Sequence, residues 1–126
     1  MQYQNIVLID DDAEDHEIFG TALSLVSKQL NFSSFTNAKV ALDKLDANEI
    51  DPDIIFLDLN MPVMSGEEFL TRIKKIDHLK HIPVIIFSTT SNPSTIAGTK
   101  QLGAIDFITK PNRFDTLVDI LKPIIN

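Results

Sequence analysis

Four unbroken apolar stretches recur along the chain, at Ile6 to Ile9, Ile54 to Leu57, Val84 to Phe87 and Phe107 to Ile108. A strand with one face in water alternates apolar and polar residues. An unbroken run implies burial on both faces, the condition of a parallel sheet covered by helices above and below. Phe32 to Thr36 is a weaker candidate for a further strand. Between these stretches the apolar residues fall at helical period: Ile18, Ala22, Leu25 and Val26 with Phe19, Leu23 and Leu30; then Ala38, Ala41, Leu42 and Leu45; then Phe69, Leu70, Ile73 and Ile76. The third of these segments opens with Ser65 and Glu68 at capping-box spacing. A fourth, from about Pro93 to Leu102, is poor in apolar residues and closes at Gly103, a C-cap signal. A fifth holds Phe114, Leu117, Val118 and Leu121, and Pro123 is expected to end it. Five strands each followed by a helix predict an α/β fold, a doubly wound parallel sheet with helices on both faces. With 126 residues and 44% hydrophobic content, the chain is expected to form one domain with its own core.

Charge and composition narrow the function. The net charge is −7, from 18 acidic against 11 basic residues, and the basic ones are scattered. That argues against nucleic acid or an anionic membrane as the principal partner. There is no cysteine, which removes disulfides, thiolate catalysis and cysteine-ligated zinc. No apolar run approaches membrane-spanning length and Met1 leads into a polar stretch, so the expected location is the cytoplasm.

In open α/β sheets, sites form at the carboxyl ends of the strands. Here those ends carry Asp10 and Asp11, then Asp58, then Ser88 and Thr89, then Thr109 and Lys110. Two unit charges about 4 Å apart repel by about 4 kcal/mol at an effective dielectric of about 20, so three converging carboxylates call for a cation or raised pKa values. All the candidate ligands are oxygens, which suits Mg²⁺. A carboxylate can attack a phosphoryl group while a cation and a lysine neutralise the transferring oxygens, and a hydroxyl such as Ser88 can donate to one of them. The remaining acids of "DDDAED" have a plainer explanation. Asp12 is the expected N-cap of the first helix, with Glu14 and Asp15 in its first turn, where carboxylates favour the macrodipole. His16, His78 and His81 lie away from the strand ends, and surface or helix-face roles are expected for them.

The pair Asp10-Asp11 after an apolar run, "DIIFLDLNMPVMSGEEFL" from Asp53 to Leu70, "IPVIIFSTT" from Ile82 to Thr90 and "GAIDFITKP" from Gly103 to Pro111 resemble, in order and over essentially the whole chain, the receiver domain of two-component response regulators. The resemblance implies a flavodoxin-like strand order 2-1-3-4-5 and a receiver domain over residues 1–126 with no output domain. It implies a phosphoryl-accepting switch with no independent turnover. Asp58 would accept the phosphoryl group from a phosphohistidine on a histidine kinase or a histidine phosphotransfer protein. Asp10, Asp11, Asp58 and the backbone carbonyl of Asn60 would hold Mg²⁺ or Mn²⁺. Lys110 would pair with the phosphoryl oxygens. Ser88 and Phe107 would be the switch residues that alter the surface of the fourth helix, fifth strand and fifth helix for a downstream protein. In this family the peptide before the proline after the lysine is commonly cis, which leaves both isomers open at Lys110–Pro111. Serine stands at 88 where threonine is more usual, and Asn112 where an aromatic residue is frequent, so Phe114 is the candidate for that packing role.

Three other readings fit less well. An aspartate-nucleophile phosphatase wants a second aspartate two positions after the nucleophile, and Asn60 stands there. A flavin-binding domain of the same architecture wants a hydroxyl- and glycine-rich loop after the first strand, the opposite of "DDDAED". A scaffold without phosphorylation would not need the complete site.

Overall fold

The computed structural model describes residues 3–126. Five strands, β1 (Asn5–Ile9), β2 (Asn31–Phe35), β3 (Ile54–Leu57), β4 (Val84–Ser88) and β5 (Asp106–Thr109), alternate with five helices, α1 (Ala13–Val26), α2 (Ala38–Asp46), α3 (Gly66–Ile73), α4 (Pro93–Gln101) and α5 (Phe114–Ile125). All strands are parallel, in the order β2-β1-β3-β4-β5, as the resemblance implied. The order reverses between β1 and β3, which opens the crevice at the carboxyl edge where such sheets bind ligands.

The unbroken apolar runs are explained by two cores. From the three central strands, Val7, Ile9, Ile55, Leu57, Val84 and Ile86 pack with α2 and α3, while Ile6, Leu8, Ile54, Phe56, Ile85 and Phe87 pack with α1 and α5. Each strand sends alternate residues to opposite faces, so a strand covered on both must be apolar throughout. The edge strands β2 and β5 are only partly buried, which is why their sequences signal weakly. On the second face Phe19 meets Phe32, Phe56 and Phe87 at ring-centroid distances of 5.8, 4.9 and 5.3 Å.

Local chemistry sets the helix ends. Asp12 caps α1, accepting from Glu14 N at 2.9 Å. Asn37 caps α2 through Lys39 N and Val40 N, and Asn92 caps α4 through Ser94 N, with Pro93 in the first turn. Ser65 caps α3 through Glu68 N at 3.2 Å, but the reciprocal half of the expected capping box is not made, because Glu68 pairs with Arg72 at 2.8 Å one turn on. Gly103 closes α4 at φ 114, the left-handed region open to glycine.

Two expectations fail. In α1 only Phe19, Ala22 and Leu23 are buried, and Ile18 and Leu25 are exposed, because the helix meets the sheet along a narrower stripe than its apolar content. Pro123 does not end α5, which continues to Ile125. Buried Leu121 and Ile125 anchor the last turn, and their packing outweighs the intrahelical hydrogen bond that Pro123 cannot donate. No helix among the described residues is long and apolar enough to cross a membrane.

Phe19→Ala should cost about 3–5 kcal/mol of stability in equilibrium urea unfolding, while Leu25→Ala at an exposed position of the same helix should stay within about 0.5 kcal/mol.

Candidate functional site

The strand-end residues meet where the sequence placed them. Asp10, Asp58 and Ser88 are three of only four polar or charged residues fully buried among those described, and the carboxylates of Asp10, Asp11 and Asp58 each offer an oxygen within 4.8 Å of the others. Asp10 follows β1 and is anchored by its own backbone N–H, which donates to Phe35 O at 3.0 Å. Its Oδ1 accepts from Asp12 N at 2.9 Å and its Oδ2 from Lys110 Nζ at 2.8 Å. Asp58 follows β3, with its N–H on Ile9 O at 2.9 Å; its Oδ1 accepts from Leu59 N at 2.8 Å. Asp11 is exposed. Asn60 occupies an exposed position two residues beyond Asp58.

Burial raises the pKa of both inner carboxyls. Asp10 is pushed up to about 6 by desolvation against the opposing pull of Lys110 and the Asp12 N–H. Asp58 is raised by desolvation too, with Lys110 and the Leu59 N–H acting against it and Asp11 adding repulsion. For Lys110 burial disfavours the charge, but hydrogen bonds to Asp10 and Asp15 and the fields of Asp10 and Asp58 outweigh it and hold the ammonium above the ordinary lysine value. One ammonium among these acids leaves net negative charge. An all-oxygen, anionic and part-buried donor set of this kind fits a hard divalent cation such as Mg²⁺ or Mn²⁺. Asp11 and Asp58 are its least encumbered donors, since both Asp10 oxygens already accept hydrogen bonds.

Lys110 enters from the end of β5. Its N–H donates to Ser88 O at 2.7 Å, tying the ends of β4 and β5 together, and its Nζ stands 5.5 Å from the centroid of the Phe87 ring. Ser88 Oγ faces Thr90 N at 3.5 Å, a loose contact that leaves the hydroxyl free to move. Thr109 Oγ1 donates to Thr90 O at 3.1 Å and braces the loop after β4. Phe107 is partly buried against the α2–α3 core. Phe114 is 41% exposed and lines a cleft with Phe87, Lys110 and Leu117. No peptide among the described residues is cis, so Lys110–Pro111 is trans, the lower-energy state before proline.

Three residues have roles the sequence reading missed. Asp15 is not simply a first-turn acid, for its Oδ2 lies 2.7 Å from Lys110 Nζ. His16 donates from Nε2 to the backbone carbonyl of Asp10. Both sit in the first turn of α1, where the dipole explanation of Asp15 is sufficient by itself and gives no cue to a partner 95 residues away. Gly66 begins α3 so close to the loop after β3 that a Cβ there would lie 2.3 Å from Asp58 O and 2.7 Å from Leu59 Cα, while its N–H donates to Leu59 O at 2.9 Å. Leu59 and Met64 sink into the core on either side of the exposed loop tip, where Val63 is held at φ 70 with Met64 N bonded to Pro62 O at 2.8 Å. This γ-turn is a strained conformation for a β-branched residue.

The family model described as the response regulator receiver domain matches residues 6–122. Among curated relatives, a protein-glutamate methylesterase/protein-glutamine glutaminase of Syntrophomonas wolfei is 34% identical over 89% of this chain, and the two-component response regulator ORR11 of Oryza sativa is 32% identical over 86%. The chain spans 31% of the former's length and 72% of the latter's. Among solved structures, the phosphorylated cyanobacterial phytochrome response regulator RcpA is similar with a TM-score of 0.88 at 31% identity, covering 97% of this chain and 91% of that one. The Mn²⁺-bound form of response regulator Rcp1 has a TM-score of 0.85 at 25% identity, covering 96% and 91%.

Gly66→Ala should destabilise the protein by about 1–3 kcal/mol, since backbone must shift to admit the methyl. Val63→Gly should raise stability by about 1 kcal/mol by releasing the positive-φ strain. Urea midpoints of the two variants against the parent chain check both.

Proposed function

Because the chain belongs to the response regulator receiver family, we propose that Asp58 takes a phosphoryl group from a phosphohistidine on a histidine kinase or a histidine phosphotransfer protein. The observation that carries this reading is the convergence of buried Asp58 with Asp10, Asp11 and Lys110 at one sheet edge. An oxygen of Asp58 attacks phosphorus, the new O–P bond forms as the N–P bond breaks, and the electron pair returns to the imidazole nitrogen, which is protonated from solvent. The product is an acyl phosphate, and attack of water on its phosphorus restores the carboxylate and releases phosphate. Asp10, Asp11, Asp58 and the Asn60 carbonyl would hold Mg²⁺ or Mn²⁺, which neutralises charge on the transferring oxygens. The backbone N–H of Leu59 orients the Asp58 carboxylate, and Lys110 supplies an N–H to the phosphoryl oxygens as charge grows there.

Ser88 and Phe107 carry the change outward. The loosely bonded Ser88 hydroxyl turns toward a phosphoryl oxygen and draws in the loop that leads to α4. The space it leaves admits the Phe107 ring. Helix α4 contributes no apolar side chain to either core cluster, Thr99 being its one fully buried residue, so a small bias is enough to shift it. The α4–β5–α5 surface then presents a different face to a downstream protein. We place this activity in the cytoplasm, consistent with a chain free of cysteine.

Incubation with acetyl phosphate and Mg²⁺ should add the mass of one phosphoryl group, seen by intact-protein mass spectrometry. Asp58→Ala and chelation of the metal should each abolish the gain, Asp11→Ala should abolish the Mg²⁺-dependent gain while leaving the chain folded, and Glu14→Ala should leave the gain nearly untouched. An unmodified parent chain under saturating donor would sink the assignment.

A further inference from the structure

Lysine carries its charge on a flexible four-carbon stem, so the resting place of the ammonium is decided by the groups around it. Around Lys110 Nζ these are Asp10 from the end of β1, Asp15 from α1, Asp58 from the end of β3 and the Phe87 ring from β4. The distances are unequal. Asp15 Oδ2 and Asp10 Oδ2 lie at 2.7 and 2.8 Å, while Asp58 Oδ2 stands off at 3.7 Å, beyond hydrogen-bond range. An ammonium has three N–H donors, so two are committed before Asp58 is reached. Asp10 alone could not set this position, because a single partner leaves the head free to swing about it toward the nearest remaining carboxylate. Asp15, approaching from a different element, is the second anchor.

We propose that Asp15 is a positioning residue for phosphoryl transfer: it holds the Lys110 ammonium off Asp58 Oδ2, so that this oxygen keeps its lone pairs for attack while the third N–H waits for the phosphoryl oxygens. The proposal rests on Asp58 being the phosphoacceptor. Without Asp15, the ammonium closes on Asp58 as a direct ion pair. A hydrogen bond to the attacking oxygen then withdraws electron density from it and must break before the O–P bond can form.

The test is the rate of Asp58 phosphorylation by acetyl phosphate at saturating Mg²⁺, followed by intact mass for the parent chain, Asp15→Ala, Asp15→Asn, Lys110→Ala and the Asp15→Ala/Lys110→Ala double variant, with urea unfolding to establish that each is folded. Asp15→Ala should lower the maximal rate by about tenfold, the scale of one charge-assisted hydrogen bond, without changing the donor concentration at half-maximal rate. Asp15→Asn keeps an oxygen acceptor for the ammonium and should recover part of the loss. In the Lys110→Ala background, Asp15→Ala should have no further effect. An Asp15→Ala rate equal to or above that of the parent overturns the proposal. So does a loss that persists undiminished without Lys110, since that assigns Asp15 to the helix or to the general field of the site. A parent chain that takes no phosphoryl group overturns the phosphoacceptor reading itself, and this proposal with it.

Discussion

One ammonium, that of Lys110, holds the acidic edge of this sheet together. It contacts carboxylates from the end of β1, the first turn of α1 and the end of β3, and its own backbone N–H bonds the end of β4. Among the described residues no other lysine or arginine pairs with those acids. Without it, Asp10 and Asp58 would be buried beside one another with only the backbone N–H groups of Asp12 and Leu59 to offset their charge, and a buried charge that loses its ionic partner costs about 3–5 kcal/mol. The site is therefore held by attraction to one cation and left short of a second. Buried Asp10 and Asp58 titrate above the ordinary carboxylate range even with the lysine in place. Stability that would come from full neutralisation is held back, and a divalent cation held by these carboxylates would supply it.

The rest of the fold is arranged so that this edge stays rigid while one flank does not. Three central strands fill both cores, and α1, α2, α3 and α5 are pinned to them by buried apolar residues. Helix α4 is joined mainly by its ends, with Asn92 capping one and Gly103 closing the other. Since burial of apolar surface is the main stabilising force, an element that buries little of it can shift at low cost. The brace from Thr109 to Thr90 and the weak contact at Ser88 lie between the rigid edge and the loose helix. They are suited to carry a local change of charge outward.

Much of this was legible in the residues. The parallel, doubly covered sheet was legible in Ile6 to Ile9 and Ile54 to Leu57, because runs this short and rich in β-branched residues suit strands buried on both faces better than helices. Asp10, Asp11, Asp58, Ser88 and Lys110 could be collected from strand ends alone, since topology brings strand ends together whatever lies between. Three features were not legible. Asp15 had a sufficient local explanation as a first-turn acid, and only the three-dimensional approach of β5 to α1 shows its second partner. Gly66 carries no chemistry, and its necessity lies in a close approach to Asp58 O that sequence spacing does not encode. Pro123 reads as a helix terminator, yet packing of Leu121 and Ile125 overrides the local preference.

The ion pairs of Lys110 close loops of 95 and 100 residues, nearly the length of the chain. A chain synthesised from its N-terminus exposes Asp10 and Asp15 early and supplies the lysine that balances them only when β5 is made. Contacts so distant in sequence form late, because most of the chain must be ordered before they can reward the cost of closure. The acidic edge is thus the last part of the molecule to become electrostatically complete. A balanced acidic edge therefore reports that β5 has docked beside β4.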